Sequence, residues 1–141
     1  MIDYKINRVD FNEYRCDAIE NNNIIASGFF YIQNNEALGK YFKHSSDTLD
    51  LNIAKGIVDN ALNYLRNLGI PYLIVPPAQN KNILLMLSEF NNVRFFNRYN
   101  EIDINIIKNF DCQSKSFFCN TNPPDLLSLE DRISVCVYTK Q

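Results

Sequence analysis

The 141-residue sequence predicts an α/β domain of the α+β kind, with a mixed, mostly antiparallel central sheet flanked by helices. Three observations carry that expectation. Strand-like segments separated by asparagine turns fill the first third. One long amphipathic helix follows, and a short, wholly apolar run directly after it has the pattern of a strand buried on both faces.

In chain order, residues 2–6 are a candidate strand. Residues 13–20 set Tyr14, Cys16 and Ala18 against Arg15, Asp17 and Ile19, which is period-two alternation. Asn21-Asn22-Asn23 then supplies the short polar side chains that tolerate a tight hairpin turn, and 24–32 is the returning strand. A second polar turn, Gln33-Asn34-Asn35-Glu36, leads into a strand over 37–43. The helix comes next. Ile53, Ile57, Val58, Ala61, Leu62, Leu65 and Leu68 fall on one face at a 3.6-residue period, with Ile53, Ile57, Ala61, Leu65 and Leu68 as the expected inner stripe. Asp50 or Asn52 is expected to cap its start and Gly69 its end.

Tyr72-Leu73-Ile74-Val75 is the buried strand, which Pro76-Pro77 is expected to stop. Asn80 or Asn82 caps a second helix that carries Ile83, Leu84, Leu87 and Phe90 inward. Residues 93–101 alternate and predict one strand. Phe117-Phe118 and 133–139 are further strand material, and 122–131 suggests a capped helical turn. No repeat, linker or low-complexity block divides the chain, so one domain over 1–141 is expected, with an atypical C-terminal extension over 103–141.

Composition narrows the classes. A hydrophobic fraction of 46% with 21% charged residues is ordinary globular usage. The net charge is −2 and the basic residues are scattered, which argues against a nucleic-acid partner. The start lacks a cationic, apolar leader, and no stretch approaches the roughly 20 apolar residues of a bilayer span, so a cytoplasmic location with no membrane association is expected. Cys16, Cys112, Cys119 and Cys136 form no CxxC pair and His44 is the only histidine, so no metal site is expected. Cys16 and Cys136 read as core hydrophobes, and Cys112 and Cys119 are able to pair on oxidation.

The order strand, strand, strand, helix, buried strand, helix, strand, with the phrases Ala61-Leu62-Asn63-Tyr64-Leu65-Arg66-Asn67-Leu68-Gly69-Ile70-Pro71 and Asn80-Lys81-Asn82-Ile83-Leu84-Leu85-Met86-Leu87, resembles the GNAT N-acyltransferase superfamily from its second strand onward. The resemblance is greatest over 49–99. It implies acetyl-CoA or another acyl-CoA as cofactor and an amine as acceptor. It also implies a pyrophosphate cradle of backbone N–H groups at a helix start, reading Gln/Arg-x-x-Gly-x-Gly/Ala. A helix start suits an anion because its N–H donors are unpaired and carry partial positive charge.

The matching stretch is Leu49-Asp50-Leu51-Asn52-Ile53-Ala54, in which Ala54 alone fits the pattern and Asp50 places a negative charge beside the expected phosphate. A shifted register, Ile53-Ala54-Lys55-Gly56-Ile57-Val58, recovers one glycine but puts Gly56 inside the helix. The cofactor contacts implied by the resemblance are Asn52, Ile53 and Ala54, together with Asn80 at the start of the second helix. Two further departures stand out. Leu87 occupies the position where the family places a tyrosine acid. Only 7–12 separate the first two strands, which leaves no room for the two helices that the family inserts there.

No Ser-His-Asp or Cys-His constellation emerges, and Asp17, Glu20, Glu36 and His44 are weighed as bases without any being assigned. The sequence therefore supports a GNAT-like N-acyltransferase that transfers an acyl group to an amine. The alternative is a catalytically inactive relative acting as a binding or inhibitory module with a protein partner. An unrelated α/β binding domain of the same topology is a third reading.

Overall fold

The structure, a computed structural model, describes residues 1–45, 50–78, 81–97, 100–105 and 133–140. The elements in order are β1 (Asp3–Arg8), β2 (Glu13–Glu20), β3 (Asn23–Gln33), β4 (Glu36–His44), α1 (Leu51–Asn67), β5 (Tyr72–Ala78), α2 (Lys81–Leu87), β6 (Val93–Asn97), β7 (Asn100–Ile102) and β8 (Ile133–Tyr138). The architecture is α+β, and the strand pairing is mixed and mostly antiparallel. The chain divides into two compact units, residues 1–74 with 138–141 and residues 75–137.

In the first unit, β1 to β4 form an antiparallel meander, and the asparagines set its turns. Asn21 and Asn22 have φ of 52° and 65°, and Asn34 and Asn35 have 52° and 64°. Positive φ at both central residues is the geometry of the two-residue hairpin turn whose twist matches the strands. Between β1 and β2 there is only a short turn, tied by Val9 N–H to Glu13 C=O at 2.9 Å and by Phe11 N–H to the Asp10 carboxylate at 2.7 Å. The two-helix insertion that the resemblance places here is absent, as the spacing of the strands predicts.

One face of the meander carries the core. Cys16, Ala18, Ala26 and Ile57 form a buried cluster, with Tyr4, Ile6, Phe42 and Ile53 packed around it. Gly28 is required there, because a Cβ would lie 2.6 Å from Ile57 Cγ2. Along α1 the buried residues are Ala54, Ile57, Val58, Ala61, Leu62 and Leu65. Leu68, expected on the inner stripe, is instead 51% exposed. It is the C-cap residue, where the helix ends. Ile70 takes the core position beyond Gly69 (φ 77°), its N–H donating to Leu65 C=O at 2.9 Å while Gly69 N–H donates to Arg66 C=O at 3.1 Å. That reverse turn swings the residue after the glycine back under the helix.

Pairing of β4 with β5 is parallel, through Ala37 with Leu73 and Leu38 with Ile74. The chain end returns to this unit. Thr139 N–H donates to Pro71 C=O at 3.0 Å, its hydroxyl to Ile70 C=O at 2.7 Å, and Arg66 Nε donates to Thr139 C=O at 2.6 Å. Strand β5 runs through Pro76 and Pro77 instead of stopping at Val75, since proline's fixed φ is compatible with extended backbone.

The second unit holds α2, whose Leu84, Met86 and Leu87 are buried, and β6 paired antiparallel to both β7 and β8. Phe95, Ile102 and Val135 share one cross-strand row and are all buried. The single strand expected over 93–101 is therefore a hairpin, in which Asn97 faces Asn100. Residues 112, 117–119 and 122–131, with the two cysteines able to pair on oxidation and the suggested helical turn, lie outside the described residues. Among the described residues no helix is long and apolar enough to cross a membrane.

Candidate functional site

The first turn of α1 is where the sequence places an anion cradle, and the N–H groups of Asn52, Ile53 and Ala54 already have partners. Asp50 is the N-cap, in extended conformation, and its Oδ1 accepts from Asn52 N–H at 2.8 Å and, more weakly, from Ile53 N–H at 3.4 Å. Ala54 N–H makes the first helical bond, to Asp50 C=O at 2.9 Å. The Asp50 carboxylate thus sits on the donors that a pyrophosphate would use. Of the candidate residues, Asn52 is exposed, Ile53 half-buried against the core and Ala54 buried. Asn80 lies outside the described residues.

Gly56 has a packing explanation. A Cβ there would lie 2.1 Å from the Tyr4 hydroxyl and 2.4 Å from Tyr4 Cζ, so glycine lets the Tyr4 ring lie across the helix. Burial, followed by the charges of Cys16 and Asp50, pushes the Tyr4 phenol pKa up. The glycine of the shifted register therefore serves helix-strand contact inside α1.

Strand β4 carries an irregularity near its centre. Gly28 pairs with Phe42 and Phe30 with Gly39, so β4 holds one more residue than β3 around Lys40 and Tyr41. Such a bulge bends a strand and re-aims its side chains. The Lys40 ammonium lies 3.3 Å and 3.4 Å from the Glu13 carboxylate oxygens, 5.0 Å from the Tyr31 ring centre and 5.8 Å from that of Tyr41. Desolvation lowers its pKa, but the hydrogen bond and charge of Glu13, aided by Tyr31 and Tyr41, outweigh this and raise it. Lys40 is held as a cation. Tyr41 also stacks on Phe29, with ring centres 4.7 Å apart.

The carboxylates weighed as bases separate clearly. Asp17, which the sequence reads as a candidate base or a solvated hairpin residue, is only 2% exposed. Its Oδ1 accepts from the Ser27 hydroxyl at 2.6 Å and contacts Arg15 Nε at 2.7 Å, and Oδ2 accepts from Arg15 Nη2 at 3.0 Å. Both oxygens are engaged, which makes this a buried polar network. Glu36 is different. It starts β4, and the parallel pairing of Ala37 with Leu73 brings it beside Tyr72, whose hydroxyl donates to Glu36 Oε1 at 2.5 Å. The Tyr138 ring meets Tyr72 edge-on at 6.0 Å. Nothing in the local sequence signals this contact, because its partners are 36 residues apart and meet only through the strand pairing.

His44 is exposed at the end of β4. Cys16 is buried, and desolvation followed by the charge of Asp17 pushes its thiol pKa up to about 12, which removes it as a nucleophile. Leu87 is 1% exposed. Among the described residues no group of His, Cys, Asp and Glu is placed to hold a metal ion.

Several solved acetyltransferase structures share this arrangement of elements. A GNAT-family acetyltransferase from Staphylococcus aureus superposes with a TM-score of 0.55 at 18% identity, covering 91% of this chain and 69% of that one. The ribosomal-protein-S18-alanine N-acetyltransferase of Escherichia coli gives 0.57 at 11% identity, covering 92% and 71%. A putative streptothricin acetyltransferase from Bacillus anthracis, solved in complex with acetyl coenzyme A, gives 0.53 at 16%, covering 92% and 64%. No family sequence model matches the chain, and no curated protein sequence matches it. The fold is GNAT-like, of the type shared by these acetyltransferases.

Proposed function

We propose that this chain is a GNAT-like N-acyltransferase that binds acetyl-CoA or another acyl-CoA and passes the acyl group to an amine by direct attack. The observation that carries the reading is the bulged β4, joined to β5 in parallel at Ala37–Leu73 and Leu38–Ile74 and followed by α1. In this reading the pantetheine arm lies along the β4 edge beyond Leu38, and the cofactor contacts are those the resemblance assigns, Asn52, Ile53 and Ala54 with Asn80. The acceptor nitrogen forms a bond to the thioester carbon, the carbon–sulfur bond breaks, and the ammonium proton passes to a base while CoA leaves as thiolate. Glu36, oriented by the Tyr72 hydroxyl, is the carboxylate we assign to that proton. One domain over 1–141 and a cytoplasmic location belong to the same reading.

A second reading, a catalytically silent binding or inhibitory module, is favoured by one observation: the Asp50 carboxylate occupies the N–H groups of Asn52 and Ile53. The two readings separate in a thiol-release assay with acetyl-CoA and a panel of primary amines. Amine-dependent CoA release that falls at least about tenfold in Glu36→Gln supports the enzyme, at a cost of about 1.4 kcal/mol in transition-state stabilisation. Acetyl-CoA binding without release for any amine supports the module.

A further inference from the structure

The first strand is paired on one side only. β1 binds β2 through Asp3–Ile19, Lys5–Asp17 and Asn7–Arg15, and among the described residues no strand lies on its other edge. Because Val9 N–H donates to Glu13 C=O, the main-chain groups of the odd residues in β1 point toward β2. Those of Ile2, Tyr4, Ile6 and Arg8 therefore point outward. This edge has no proline and no bulge, two of the devices that usually block strand addition. Of its three exposed side chains, Arg8 is tied to the Asp10 and Phe11 carbonyls, while Asp3 and Lys5 have opposite charge and neither has an ion-pair or hydrogen-bond partner among the described residues.

These features define what the edge accepts. The geometry points to a second copy of this chain, added antiparallel at β1 about a two-fold axis through Tyr4, which continues the sheet across two molecules. In that register Tyr4 faces Tyr4 of the second copy and Ile2 faces Ile6 of the second copy, each pair exchanging outward N–H and C=O groups. Asp3 then lies directly opposite Lys5 of the second copy, twice by symmetry. That pair falls at a non-hydrogen-bonded position, where side chains approach most closely. Ile2 and Ile6, half-buried on the α1 side, extend the cluster of Cys16, Ala18 and Ile57 across the junction. The neighbouring registers set Lys5 against Lys5 or Asp3 against Asp3, and like charges directly opposite destabilise a pair. The alternation Asp3-Tyr4-Lys5 thus selects both the partner and its alignment.

The test is the mass of the full chain in solution, by sedimentation over a range of concentrations at low salt. Wild type should dimerise, Lys5→Glu and Asp3→Lys should each weaken the dimer at least about tenfold, and the double variant should restore it by exchanging the charges. Thermal melts check that each variant is folded, since Lys5→Glu sets a carboxylate opposite Asp17 on β2, and Asp3→Lys, opposite Ile19, serves as the variant free of that conflict. A wild type that is monomeric throughout overturns the proposal and leaves the edge to a strand of another protein. A dimer indifferent to both single changes, or one that the double change fails to restore, overturns it as well.

Discussion

The Asp50 carboxylate accepts the Asn52 N–H at 2.8 Å, so a phosphate at this helix start competes with the chain's own anion. This one contact joins stability to function. Replacing an N-cap aspartate by alanine costs roughly 0.5–2 kcal/mol, whereas asparagine keeps the cap. Asp50→Ala should lower the unfolding free energy measured in urea by that amount while Asp50→Asn leaves it nearly unchanged. Equal losses in the two variants would mean that charge, not capping, is the main effect.

Gly56→Ala should destabilise the protein even though alanine is the better helix former by roughly 1 kcal/mol. The new methyl meets the Tyr4 ring, and overpacking of this kind costs about 1–3 kcal/mol. In a Tyr4→Ala background the same change should become stabilising, and a double-mutant cycle of melting curves measures the sign reversal. The absence of coupling would contradict the contact.

In the buried network the two halves of the ion pair are unequal. Asp17 is 2% exposed, whereas the Arg15 side chain is 33% exposed and reaches water. Removing the arginine strands a buried carboxylate with only the Ser27 hydroxyl, and breaking buried pairs costs up to about 3–5 kcal/mol, less here because one partner is solvated. Arg15→Met should therefore destabilise more than Asp17→Asn in denaturant melts. The reverse order would show that the arginine's stem, not the carboxylate, governs the site.

The Cys16 thiol has its pKa raised to about 12 from an ordinary 9.0. A group whose folded pKa is raised stabilises fully below its unfolded pKa and loses that contribution as pH climbs toward the folded value. Stability should thus decline above about pH 9, and Cys16→Ala should decline less steeply over the same range. Alkylation of this thiol should be slow in the native protein and fast in urea. Rapid native alkylation would contradict its burial.

Much of this architecture was legible in the sequence because local chemistry decides it. The paired asparagines need little help to adopt positive φ, Asp50 and Gly69 delimit α1 at both ends, and the apolar period gives five of the six buried residues along it. What failed depends on partners far away. Asp17 alternates like a solvated residue, and only Ser27 and Arg15 in the folded sheet make its burial tolerable. Leu68 keeps the helical period, but the turn at Gly69 hands its core place to Ile70. The candidate site shows the same division. The helix start with its opposing Asp50 is visible along the chain, whereas the Glu36–Tyr72 contact appears only when β4 and β5 align in parallel.

Calorimetric titration of acetyl-CoA into wild type and Asp50→Asn, at low and at moderate salt, tests the central claim that this GNAT-like fold is an acyl-CoA site. The account predicts binding by both, several-fold tighter for Asp50→Asn. The gain should be largest at low salt, since repulsion between unit charges is about 1 kcal/mol at 4 Å in water and several times that near a protein surface. Folded wild type and folded Asp50→Asn that both fail to bind at millimolar acetyl-CoA would contradict it.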